Sequence, residues 1–210
     1  MRALSVILLG ILLPPSASLA QELPNNDNVT VLYFVRHAEV DPAQPTFPLN
    51  AAGRRKADAF AQTVSAVRFT HIFSSHTTRA RQMVEPVALT RKLPVIQVPR
   101  PGLQADSTRV SDRTPSRAAI VPLVNALRGL PLGSRVLVGV NSDNAYAILN
   151  GMGVPAATPE QPCRTGANCV PCLTNACASP PYDQLWILVL SRDPSPPTLI
   201  ELRYGEPGTP

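Results

Sequence analysis

Apolar side chains occupy almost every position from Val29 to Val35, the pattern of a strand covered on both faces. The run stops at Arg36-His37, and Pro42 and Pro45 follow within a few residues. Asn50 stands as an N-cap before Ala57, Phe60, Ala61 and Val64, which recur at helical spacing. Thr70 to Phe73 reads as a short second strand. The loop Ser74–Thr78 then leads into a helix carrying Ala80, Met83, Val84 and Val87, which Pro86 is expected to bend. Val95 to Val98 reads as a third strand, and 99–114 as a polar, irregular connection. Ile120, Val124 and Leu127 share one face of a further helix, which Pro122 either kinks or begins. Arg135 to Val140 is an apolar strand. Asn141-Ser142-Asp143 caps a helix expected to end at Gly151 or Gly153. Pro recurs through 154–181, which also holds all four Cys and where no regular structure is expected, and Leu185–Leu190 and Leu199–Tyr204 close the series as strands.

Strands alternating with helices imply an α/β fold: a single three-layer domain with a mostly parallel central sheet and helices on both faces. The Arg-His pair then falls where a buried strand emerges, the edge at which open α/β sheets build their sites. The chain has 210 residues and a formal charge of +5. Neither a Lys/Arg run nor an aromatic-interleaved basic patch points to nucleic acid, whereas a modest positive excess suits an anionic small substrate. Residues 1–20 read as a signal peptide. Arg2 gives the positive start, Val6 to Leu13 the apolar middle and Ser18-Leu19-Ala20 the cleavage site. That run is too short to span a membrane, and a polar leader follows over 21–28. The expectation is a periplasmic or secreted protein with its folded domain over 29–205.

Three segments carry a family resemblance in chain order. Val35-Arg36-His37-Ala38-Glu39 is similar to an Arg-His-Gly/Ala opening motif. Leu49-Asn50-Ala51-Ala52-Gly53-Arg54-Arg55-Lys56-Ala57 is similar to a Leu-Thr-x-x-Gly-x-x-Gln-Ala helix start. Ser74-Ser75-His76-Thr77-Thr78-Arg79-Ala80-Arg81-Gln82 is similar to a Ser-Ser-x-x-x-Arg-Ala-x-Gln segment. Together with Tyr182–Ile187 and Leu202–Gly205, they make the chain resemble the small secreted branch of the histidine phosphatase superfamily, whose fold is phosphoglycerate mutase-like. The resemblance implies phosphomonoester hydrolysis without metal or cofactor, through a phosphohistidine. His37 would be the nucleophile, with Arg36 and Arg79 as guanidinium clamps on the phosphate. Arg79 also lies near a helix start, where free backbone N–H groups attract anions.

The resemblance fails at one position. The family carries a second His after an apolar strand, and here Val136-Leu137-Val138-Gly139-Val140 is followed by Asn141. An amide can donate to a phosphate oxygen but cannot carry a proton's charge. Reduced turnover is therefore expected, or a catalytically degenerate protein that binds phosphorylated ligands. His76 either compensates or is a surface-loop residue, and His71 reads as structural. For the proton donor to the leaving oxygen, Asp106 ranks first, with Asp143 next, while Glu39 and Asp41 flank the nucleophile. Arg81 reads as a solvated helix charge. Cys163, Cys169, Cys172 and Cys177 fall within fifteen residues, which in an exported chain reads as two disulfides rather than a four-thiolate zinc site. A third possibility is a disulfide-stapled interaction protein that uses this loop as its contact surface. The expected partner is a phosphorylated small molecule or an envelope phosphate. Patterning leaves the substrate and the oligomeric state open.

Overall fold

The structure, a computed structural model, describes residues 27–98, 117–142, 144–158, 168–171, 180–192 and 195–205. Six strands form one sheet: β1 (Val29–Arg36), β2 (His71–Ser74), β3 (Val95–Gln97), β4 (Arg135–Val140), β5 (Gln184–Ser191) and β6 (Thr198–Arg203). Their spatial order is β3-β2-β4-β1-β5-β6. The pairs from β3 to β1 are parallel, and β5 and β6 are added antiparallel. The helices are α1 (Ala51–Thr63), α2 (Thr78–Arg91), α3 (Arg117–Arg128) and α4 (Ala145–Gly151).

Alternation along the strands builds two cores, because successive side chains of a strand point to opposite faces. Leu32, Phe34, Val136, Val138 and Trp186 are buried against Leu123, Leu127, Ile148 and Leu149 of α3 and α4. Val35, Ile72, Leu137 and Leu185 are buried against Phe60, Met83, Val84 and Val87 of α1 and α2. β1 feeds both clusters, which explains its nearly unbroken apolar run.

Two local expectations are corrected. Asn141-Ser142-Asp143 does not cap α4. The cap position is Asn144, whose side chain turns back to accept from Asn141 N–H at 2.9 Å. The Asn141 carbonyl instead accepts from Ala145 N–H at 3.1 Å, so this residue begins the turn and leaves its amide side chain for other contacts. Within 154–181, Ala156 and Val170 form an isolated parallel bridge where no regular pairing is expected. Pro122 lies inside α3 and does not begin it. The segments 1–20 and 21–26, the connection 99–114 and three of the four cysteines lie outside the described residues. No described helix is long and apolar enough to cross a membrane.

Two glycines set how closely the layers approach. A Cβ on Gly139 would lie 2.4 Å from the Ala80 carbonyl oxygen, so β4 meets the first turn of α2 backbone to backbone. A Cβ on Gly53 would lie 2.2 Å from the Glu39 carbonyl oxygen, which seats the first turn of α1 on the loop after His37. Gly139→Ala should therefore force the two backbones apart, at a cost of about 1–3 kcal/mol. A thermal melt should fall by several degrees. Gly129→Ala, whose added methyl would meet its nearest atom at 3.4 Å, should leave the melt nearly unchanged.

Candidate active site

The parallel register places three strand ends side by side. Arg36 pairs with Val140 and Ser74 with Gly139, so β1, β4 and β2 finish on one edge. The pairing continues one step further, with His37 N–H donating to Val140 O at 3.0 Å and Ser75 N–H to Gly139 O at 2.9 Å. His37, Asn141 and the Ser75–Thr77 loop thus stand together past the sheet, although they are far apart in the chain.

His37 is buried, and its Nδ1–H donates to the Ala38 carbonyl at 2.8 Å. A carbonyl only accepts, so this bond fixes the tautomer and leaves Nε2 with the free lone pair. Burial, then the charges of Arg79 and Arg36, push the imidazole down to about 3, against the weaker opposing pull of the Ala38 bond. At neutral pH the ring is therefore uncharged and faces cations. Arg36 is buried as well, and burial is the main cause holding its guanidinium below the ordinary arginine range. Nη1 of Arg36 donates to the Pro180 carbonyl, and the Tyr182 ring lies over the guanidinium at 4.1 Å. Its Nε is buried with no hydrogen-bond partner among the described residues.

Arg79 is half-buried at the second position of α2, a helix capped by the Thr77 hydroxyl, which accepts from Ala80 N–H. It lies near enough to act electrostatically on both Arg36 and His37. Two guanidinium groups, an uncharged imidazole and a helix start therefore converge. Asn141 closes the same edge, but its amide is occupied. The Thr77 hydroxyl donates to Oδ1 at 2.8 Å, and Nδ2 donates to Ser75 Oγ at 3.2 Å.

His76 is buried in the same loop, which corrects its reading as a surface residue: bonds from Ser75 to β4 and from Thr77 to Asn141 draw the loop inward. His71 stands at the other end of β2, bonded to Thr70 Oγ1 at 2.9 Å and stacked on Phe73, away from this edge. Arg81 pairs along its helix with Glu85. Glu39 is tied to Lys56 Nζ at 2.6 Å and lies near enough to act electrostatically on Arg36, whereas Asp41 accepts from Ala43 N–H at 3.0 Å. Asp106 and Asp143 lie outside the described residues, as do Cys163, Cys172 and Cys177. Cys169 is not a free thiol. Among the described residues no group of three or more His, Cys, Asp or Glu could hold a metal ion.

Sequence reasoning missed Tyr182, Ser75 and Thr77. The last two sit inside a recognised motif, but nothing in their spacing shows that they hold Asn141. Tyr182 precedes the fifth strand, and only the antiparallel pairing of β5 with β1 carries it back over Arg36.

Residues 32–101 match the family described as histidine phosphatase superfamily (branch 1). No curated protein matches the chain. Among solved structures, native mycobacterial glucosyl-3-phosphoglycerate phosphatase is 16% identical, with 75% of this chain and 89% of that chain covered at a TM-score of 0.50. Phosphoserine phosphatase from Entamoeba histolytica, in complex with 3-phosphoglyceric acid, is 13% identical over 84% of this chain and 98% of that one, at 0.50. A protein named mycobacterial hydrolase 2 is 15% identical over 82% and 89%, at 0.51. At such identities the likeness establishes the fold.

Protonation of His37 can be followed without any substrate. Unfolded, the imidazole titrates near its ordinary 6.5; folded, it refuses the proton until about 3. Between those values the unfolded chain binds more protons, so stability falls as pH drops from 6.5 towards 3. Replacing His37 by Gln should remove roughly 3 kcal/mol of the loss between pH 7 and pH 4, measured by urea unfolding. Equal losses in both proteins would show that the ring is accessible to protons.

Proposed function

We propose that the chain is a histidine phosphatase and an exported phosphomonoesterase acting through a phosphohistidine on His37, a reading supported by the family match over residues 32–101 and by the shared fold. The observation that carries this reading is the orientation of His37: Nδ1 is committed to Ala38, and the free Nε2 belongs to a ring kept uncharged between two arginines.

The steps balance without a metal. A phosphate dianion docks between Arg36 and Arg79, whose planar donors match its oxygens. His37 Nε2 attacks phosphorus as the bond to the leaving oxygen breaks, and that oxygen takes a proton from a general acid. Asp106 is the first candidate donor. A water then attacks the phosphohistidine, the P–N bond breaks, and the water's proton returns to the carboxylate. Within this scheme the substrate is a phosphorylated small molecule or an envelope phosphate. The signal-like segment 1–20 supports export. The four clustered cysteines support two disulfides, with Cys169 already engaged.

Asn141 lowers the expected rate. One preorganised donor to the charge that grows in the transition state commands about 10²–10³ in rate. The amide that stands at the second-His position is already bonded to Thr77 and Ser75. That same observation favours a second reading, a protein that holds phosphorylated ligands without turning them over.

Hydrolysis of an aryl phosphate by the protein lacking 1–20 tests the two. Turnover should be measurable and abolished in His37→Ala, and Asn141→His should raise kcat by about 10-fold or more. If wild type and Asn141→His both bind phosphate yet stay inactive, the binding protein is the correct reading. Intact mass tests the cysteines separately: the exported protein should weigh four protons less than its reduced form. Four alkylatable thiols without reduction would refute the bridges.

A further inference from the structure

Arg36 is held from two sides by one short piece of backbone. The Pro180 carbonyl accepts from its Nη1, and two residues later the Tyr182 ring covers a guanidinium face at 4.1 Å. The same ring lies against His37, with centroids 5.9 Å apart and planes tilted by 52°. Lys56 Nζ stands 5.6 Å from the ring centre. One half-buried aromatic side chain thus meets the proposed nucleophile, a proposed phosphate clamp and a third basic group.

The placement of Tyr182 is itself built. Tyr204 hydroxyl donates to the Tyr182 carbonyl at 2.8 Å, and Tyr204 N–H donates to Asp183 O at 3.0 Å. Asp183 is buried and paired with Arg203 at 3.2 Å. The Tyr204 ring is in turn packed edge-on against Phe60 of α1 at 5.0 Å. The turn before β5 is therefore clamped to the end of β6 and, through Tyr204, to α1. Packing alone would accept any apolar side chain at 182. The guanidinium beneath it is a buried cation whose Nε lacks a partner among the described residues, and such a group gains specifically from the negative face of an aromatic ring.

We infer that Tyr182 is a positioning residue of the phosphate site, its ring fixing the Arg36 guanidinium and keeping water from His37. The inference rests on the phosphatase reading for its catalytic consequence, but not for its geometric one. What the position requires is a ring and not a hydroxyl. Phenylalanine should therefore substitute for tyrosine, and an aliphatic residue should not. In a variant without the ring, Arg36 can leave its pose and water can reach the imidazole. Solvation of the ring and a displaced Arg36 charge both favour protonation of His37, while the Arg79 charge on α2 still opposes it.

The experiment compares wild type, Tyr182→Phe and Tyr182→Leu in two equilibrium measurements and one kinetic one. Inorganic phosphate affinity should be about 10-fold weaker in the leucine variant and unchanged in the phenylalanine variant. The His37 ring resonance, identified by its loss in His37→Gln, should titrate at higher pH in the leucine variant alone. With aryl phosphate, kcat/KM should follow phosphate affinity across the three proteins. Should Tyr182→Leu fail to fold, Tyr182→Met, an unbranched side chain without a π face, takes its place. Phosphate affinity and a His37 titration that match wild type in the ring-less variant would overturn the inference. Loss in the phenylalanine variant equal to that in leucine would overturn it too, because the hydroxyl would then be what matters. If the titration shifts as expected while no protein hydrolyses aryl phosphate, the positioning role stands and the phosphatase reading fails.

Discussion

A guanidinium buried at the end of a sheet strand is the constraint on which the site depends. Removing a charged group from water costs far more than one hydrogen bond returns, unless the surroundings supply partners. Arg36 receives a carbonyl from Pro180 and an aromatic face from Tyr182, and its Nε is left without a protein acceptor among the described residues. Arg79 acts on it with like charge. Under the proposed function, a phosphate bound beside Arg36 would supply an acceptor for that Nε.

The neighbouring imidazole follows from the same constraint. Desolvation and two nearby cations act in one direction on His37, towards the uncharged ring, and the Ala38 carbonyl fixes which nitrogen keeps the lone pair. In the free protein the ring therefore stays uncharged. Asn141 introduces no charge into that balance. Its amide instead ties the β4 edge to the β2 loop through Thr77 and Ser75.

The scaffold makes this geometry rigid by close backbone approach. Gly139 lets β4 touch the start of α2, the helix that carries Arg79, and Gly53 lets α1 sit on the loop that follows His37. Gln82 of α2 accepts from Leu49 N–H at 2.7 Å, which links that helix to the segment before α1. The motif residues outside the pocket therefore hold two helix starts against one strand end.

Local pattern was enough for the elements and for the strand-end position of Arg36 and His37. Apolar periodicity reports burial directly, and a run that ends in Arg-His marks where burial stops. Asn50 as the cap of α1 was legible for the same reason, because an N-cap bond spans three residues. The chain order of three short motifs also placed Arg79 with His37. What local pattern could not decide was anything set by register between distant strands. Tyr182 lies 146 residues from Arg36 in the chain. It reaches the guanidinium because β5 runs antiparallel beside β1 and the turn before it is fastened to Tyr204. The role of Asn141 was hidden in the same way. A residue after a strand and before a helix has the local signature of a cap, and only the parallel alignment of β2 with β4 turns its amide onto Ser75 and Thr77. Sequence spacing carries bonds made within one turn or one strand; bonds made across strand ends exist only once the sheet has chosen its order.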